Sequence, residues 1–302
     1  MKNRKYKSWK QRVTAFVLGF LVLPAVLMLQ SLMNIMSYQI LGTAPTLAVN
    51  AVPITLILIM LIGIWYRFET GYRFSPVQDV GKVRRAPLYL AAVGIGVQGI
   101  SSLMMIAIQI LLPKALEDYE QLLGNSGMGT MSLAIIFYTV LLAPIVEELI
   151  FRGLIHHYFE KAGLAFWIAN LLQAVLFGIY HLNLAQGICA GVIGLLIGYV
   201  VRKYDTLAAG IALHIVFNMW GYALMLFSVP DRLSGILLIL ELMLAGYGLG
   251  GIIQMQKNGK CAVGFMRFRH LLMHNVEIVI YLTMCIDKRS GIQYNSIIRI
   301  VN

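Results

Sequence analysis

The chain has 302 residues, 59% hydrophobic and 12% charged, with 24 Lys and Arg against 13 Asp and Glu for a formal net charge of +11. The charged share is about half the ~25% of ordinary soluble domains and mean hydropathy is +0.78, which excludes a chain that covers itself with polar surface; lipid must be its solvent. Nucleic acid is excluded as the use of the positive charge, because the basic residues cluster at the ends of apolar runs, as topology signals and contact with anionic lipid require.

In chain order, eight apolar stretches approach the ~20 residues a helix needs to cross the hydrocarbon. They run approximately from Val13 to Met36, Thr46 to Tyr66, Ala86 to Leu112, Met131 to His156, Leu164 to His181, Ala185 to Val201, Thr206 to Phe227 and Leu233 to Met255. Internal Pro24, Pro53, Pro144, Gly191, Gly194 and Gly198 do not exclude helix, since both residue types are commoner in membrane helices than in soluble ones. Segments five and six are joined by very little polar sequence. The fold class expected is all-α: a polytopic membrane bundle of about eight transmembrane helices.

Basic residues orient it. They fill the N-terminal arm 1–12, the connection holding Arg67, Arg73, Lys82, Arg84 and Arg85, and the positions after even-numbered segments (Lys161; Arg202 and Lys203; Lys257 and Lys260). The opposite connections hold Lys114 among Glu117, Asp118 and Glu120, and Arg232 beside Asp231. The positive-inside rule then puts both termini in the cytoplasm of a multi-pass cell-membrane protein. The first apolar run reads as a retained anchor, being longer than a signal-peptide core and without an obvious cleavage site. Residues 13–255 form the bundle. The tail 256–302, more polar and basic, has one apolar stretch, Leu271 to Met284, too short to cross comfortably and suited to the interface. Cys189, Cys261 and Cys285 share no metal or redox spacing.

Polar residues inside the fourth span carry the chemistry. Ionisable groups in hydrocarbon cost at least ~2.5–3.5 kcal/mol each and usually serve a function, yet Glu147, Glu148 and Arg152 all lie there. Glu148 and Arg152 are four apart, share a helix face and can pair as a structural clamp. Glu147 lies about 100° round the helix and is left for another task. His181 ends the fifth segment; His214 and Asn218 share one face of the seventh. Each alone reads as a hydrogen-bonded core residue, and the three charges alone as a packing ion network. Together, carboxylate and imidazole can hold and deprotonate water, while imidazole and carboxamide N–H groups suit a developing oxyanion. Counting ~1.5 Å per residue puts Glu147 ~20 Å and His181 ~26 Å from Lys161, and His214 ~13 Å from Asp205. A pocket at such depth needs a water-filled cavity, expected to open to the cytoplasm. Asn170, Gln173 and Asn183 are candidates to line it or to bridge helices. His156 and His157 read as an interfacial pair, and the glycines of segment six as a packing face.

At these residues the chain resembles the CAAX-protease and bacteriocin-processing (Abi) family of intramembrane endopeptidases, related to the type II CAAX prenyl endopeptidases. The family pattern is a diglutamate with an arginine after three intervening residues, then F-x-x-x-H, then H-x-x-x-N. Here these are Glu147, Glu148 and Arg152; Phe177 and His181; His214 and Asn218. The resemblance covers roughly Leu133 to Gly221, within a catalytic core of about 131–227. It implies a conical cavity and hydrolysis of a peptide bond in a membrane-associated peptide or protein without a covalent enzyme intermediate. Glu147 with His181 would activate water, His214 and Asn218 would stabilise the oxyanion, Phe177 would support the site, and Glu148 with Arg152 would hold the fold. No cofactor is expected; the alternative is zinc held by Glu147, His181 and His214, disfavoured because no H-E-x-x-H spacing is present. Eukaryotic relatives cleave after a prenylated cysteine; bacterial ones serve peptide maturation and bacteriocin self-immunity, and the short connections and lysine-rich arm look bacterial. The alternative from another class is a non-catalytic immunity or scaffold protein. A small-solute transporter would need a repeated half-bundle, which the sequence lacks.

Overall fold

Apolar periodic segments have only one way to satisfy their backbone in lipid, and in the computed structural model they take it: all the regular structure among the described residues (8–41, 51–71, 86–126, 133–227 and 231–257) is helical. Nine helices follow in order there: α1 Trp9–Leu41, α2 Val52–Thr70, α3 Ala86–Leu111, α4 Pro113–Ser126, α5 Leu133–Lys161, α6 Phe166–Tyr180, α7 Leu184–Tyr204, α8 Leu207–Phe227 and α9 Asp231–Lys257. The chain divides into units Met1–Leu249 and Gly250–Asn302. The described part of the second is the last turns of α9, and every contact below lies within the first. The arm 1–12 overlaps the start of α1, and Cys261, Cys285, Leu271 to Met284 and most of the tail lie outside the described residues.

Seven of the nine are long and apolar enough to cross a membrane. This is an all-α polytopic membrane bundle, with one correction to the expected spans. The stretch from Leu164 to His181 yields a helix of only 15 residues, Phe166–Tyr180. At 1.5 Å per residue it is ~22 Å long, short of a ~30 Å hydrocarbon core. Turns clip it at both ends: Gly163 has φ 95° before it and Leu182 φ 53° after it. The other addition is α4. Its sequence is too polar to cross, and Ala115, Leu116 and Tyr119 pack on Ile108 of α3 and on Ala185 and Cys189 of α7.

Side-chain contacts collect the basic residues at one end of the bundle. Arg12 Nε donates to the Ala162 carbonyl at 2.8 Å, tying the start of α1 to the end of α5. Lys161 pairs with Glu69 at the end of α2, Arg202 reaches Glu160 at 3.5 Å, and the Tyr204 hydroxyl donates to the Ala86 carbonyl at 3.1 Å. The starts of α1, α3 and α6 and the ends of α2, α5 and α7 therefore share this end.

Close approach through glycine sets the interior spacing. A Cβ on Gly178 of α6 would lie 2.5 Å from the Gly187 carbonyl of α7, so these helices meet backbone to backbone. Around α5 the core is made by Leu149, Ile150, Phe151, Leu154, Ile155 and Phe159, all at most 1% exposed.

Candidate active site

The site is built on α5, whose backbone departs from α-helix on both sides of the two glutamates. Phe137–Leu142 and Leu149–Ile155 take the wider π form, in which the Ala143 N–H reaches the Tyr138 carbonyl and the His156 N–H the Phe151 carbonyl, each five residues back. Such π turns are rare and recur at functional sites. Pro144 explains part of the first one. With Ala143 N–H spent on Tyr138 and no N–H on Pro144, the Thr139 carbonyl lacks its usual helical donors. Asn218 of α8 supplies one: its Nδ2 donates to Thr139 O at 2.7 Å.

The two glutamates have different surroundings. Glu148 is fully buried. Its Oε1 accepts from Arg152 Nη1 at 2.8 Å and lies 3.0 Å from His214 Nδ1. Arg152 also donates through Nη2 to the Gly194 carbonyl of α7 at 3.1 Å and stacks over the Phe177 ring at 4.6 Å. A Cβ on Gly194 would come within 3.1 Å of both Arg152 Nη2 and the Phe177 ring. Glu147 keeps a side-chain exposure of 12%, and its Oε2 lies 3.8 Å from His214 Nε2. The imidazole of His214 thus sits between the two carboxylates.

His181 caps the end of α6, with Nδ1 2.9 Å from the Phe177 carbonyl. A carbonyl oxygen only accepts, so Nδ1 carries the proton, and the neutral ring presents a lone pair at Nε2. Phe177 packs edge-on against His181 at 4.8 Å and His214 at 6.1 Å between ring centroids, joining the two histidines through one apolar ring. No hydrogen bond joins Glu147 to His181. The same donor logic applies to His214. With Nδ1–H given to Glu148, a neutral ring offers a lone pair at Nε2, and only the imidazolium form could donate from that atom.

Asn170 and Gln173, candidates to line a cavity or bridge helices, bridge: both are fully buried. Gln173 Nε2 donates to Asn170 Oδ1 at 2.9 Å and to Gly194 O at 3.1 Å, and Asn170 Nδ2 to Leu195 O at 2.9 Å. Asn183 accepts from the Gln186 N–H as the N-cap of α7. His156 and His157 lie 3.8 Å from Glu160 and Glu69, among the charges at the basic end. Among the described residues no group of three or more His, Cys, Asp or Glu side chains is placed to hold a metal ion.

Three polar residues in the bundle escaped the sequence reading. Tyr138 and Tyr180 both lie within electrostatic reach of Glu147, and Tyr138 is hydrogen-bonded with Thr55. Glu241 of α9 is 2% exposed and accepts from Trp220 Nε1 at 2.7 Å. As the sole charged residue from Leu233 to Met255, it carried the same signal as Glu147. The phenols carried none, because tyrosine is ordinary in a membrane helix.

Residues 129–220 match a family model, Rce1-like, described as type II CAAX prenyl endopeptidase Rce1-like. That stretch takes in all three motif elements. No curated protein and no solved structure matches the chain.

Proposed function

We propose that this chain, whose residues 129–220 match the Rce1-like model of type II CAAX prenyl endopeptidases, hydrolyses a peptide bond in a membrane-associated peptide or protein using water activated beside Glu147. The family supports an intramembrane CAAX-type endopeptidase in general terms; the residue roles are our reading. The observation that carries them is the asymmetry of the glutamate pair. Glu148 is held through Oε1 by both Arg152 and His214 and is fully buried, whereas Glu147 is partly exposed and free of a cationic clamp.

Water held between the Glu147 carboxylate and the bare Nε2 of His181 gives a proton to Glu147 as its oxygen bonds to the scissile carbonyl carbon. The carbonyl π pair moves to oxygen, where the second amide N–H of Asn218 and a protonated His214 Nε2 are the donors. Collapse re-forms the carbonyl and breaks the C–N bond, and the proton on Glu147 leaves with the amine. Every proton is held by this chain's own side chains, so no metal is required.

Glu147→Gln tests the reading on protein reconstituted in liposomes with a pool of lipid-anchored peptides, S-farnesylated and palmitoylated, analysed by mass spectrometry. New peptide termini should appear with the wild type and vanish with Glu147→Gln at equal inserted protein. Products that persist in the variant would sink the assignment. One zinc per chain by elemental analysis, with activity lost on chelation and restored by zinc, would replace it with the metal version.

A further inference from the structure

Two of the donors this mechanism uses are already partly committed. Asn218 has one amide N–H on Thr139 O, and His214, bonded to Glu148 through Nδ1, can donate from Nε2 only as the imidazolium. Resting on the hydrolytic reading above, we propose that the Tyr180 hydroxyl is a further catalytic group, the neutral donor that completes the oxyanion site.

Tyr180 is the last residue of α6 and precedes His181. Its ring packs edge-on against Phe151 at 5.5 Å and against His181 at 5.7 Å between centroids. Phe151 lies four residues after Glu147 on α5, so the contact brings Tyr180 to the side of the helix that carries Glu147. Glu147 and Tyr138 are the groups that act on it electrostatically. The two phenols differ in what their hydroxyls do. That of Tyr138 is engaged with Thr55, whereas that of Tyr180, on a half-buried side chain, makes no hydrogen bond within the described residues.

A phenol is suited to this task. It is neutral, so it adds no charge to a pocket that already holds two carboxylates, and its O–H is a strong donor on a ring with two rotatable angles. During attack the carbonyl oxygen gains negative charge and the Tyr180 O–H···O contact strengthens, with the proton staying on the phenol. Tyrosine is among the side chains that act in this way in other oxyanion sites.

The test uses the full-length protein in liposomes and the peptide from the lipid-anchored pool that shows the most Glu147-dependent cleavage. Tyr180→Phe should lower kcat by about 10²–10³ with little change in KM, as loss of one oxyanion donor does, while Tyr138→Phe causes no comparable drop. Folding should be unaffected, since the aromatic packing is retained and no hydrogen bond is lost. Wild-type kcat in Tyr180→Phe, with Glu147→Gln inactive, would overturn the phenol's role and leave the hydrolytic reading standing. Full activity in Glu147→Gln would overturn both. Should Tyr180→Phe fail to insert, difluorotyrosine at position 180 keeps the ring and hydroxyl but ionises at lower pH. The basic limb of kcat should then move to lower pH, and an unmoved limb would overturn the proposal.

Discussion

Glu147 and Glu148 are neighbours in sequence with opposite expected responses to the same change. Glu148→Gln removes the only carboxylate bonded to Arg152 among the described residues and strands that buried guanidinium; breaking a buried pair in this way costs about 3–5 kcal/mol. Glu147→Gln breaks no such pair. In detergent, Glu148→Gln should therefore lower the unfolding temperature and the yield of inserted protein, while Glu147→Gln leaves both near wild type; equal losses would contradict the division. This contrast was legible in the sequence because acids and an arginine are rare in an apolar run and four-residue spacing aligns side chains. The partner of Asn218 was not. It depends on the Thr139 carbonyl being released by a π turn at Pro144, and hydrophobic periodicity carries no sign of a turn with one extra residue. Nor could spacing show that His214 would stand between both glutamates, since that needs α5 and α8 to be adjacent.

At the scale of the helix, the seven long spans were readable from length and apolarity, and the boundaries moved by a few residues. What failed was the fifth, where an unbroken apolar composition hid two turns made by backbone conformation at Gly163 and Leu182. The α6–α7 contact offers a direct check. Gly178→Ala places a methyl group 2.5 Å from a backbone carbonyl that cannot rotate away, so the helices must separate, at the ~1–3 kcal/mol typical of overpacking. Gly235→Ala on α9 meets nothing within 4 Å and should be neutral or stabilising through helix propensity alone. Thermal unfolding of the two variants should separate them clearly. A Gly178→Ala protein as stable as Gly235→Ala would mean that the hairpin is looser than described.

For the whole molecule, the gathering of Arg12, Lys161, Arg202 and Lys203 at one end makes topology a single question with one answer for six helix termini. We expect that end in the cytoplasm. In a cysteine-free background, Lys203→Cys should react with a membrane-impermeant thiol reagent in inside-out vesicles and stay unlabelled in intact cells; the reverse pattern would invert the molecule. The answer bears on how water arrives. Between Glu147 and the basic end, Leu149 to Ile155 are buried throughout, whereas at the other end His181 adjoins Leu182, which is 82% exposed. The packing thus favours entry from the end away from the basic residues, while the sequence expectation joined a cytoplasmic basic end to a pocket open to the cytoplasm. Labelling decides which end of the bundle the cytoplasm meets.

The short α6 also has a consequence for the lipid. If the edge of the ~30 Å core lies level with Phe166 and Trp167, leaving the last turn of α7 outside it, the tip of the α6–α7 hairpin stops about 8 Å short of the far edge. Phospholipids beside Leu182 must bend inward to keep their tails against protein, at a fraction of a kcal/mol per Å of mismatch. In that setting the protein carries its own dimple in the bilayer, centred on the residue next to His181. A peptide tethered to the surface by its acyl or prenyl chain would ride that dimple down towards the imidazole, with less hydrocarbon to cross than anywhere else around the protein.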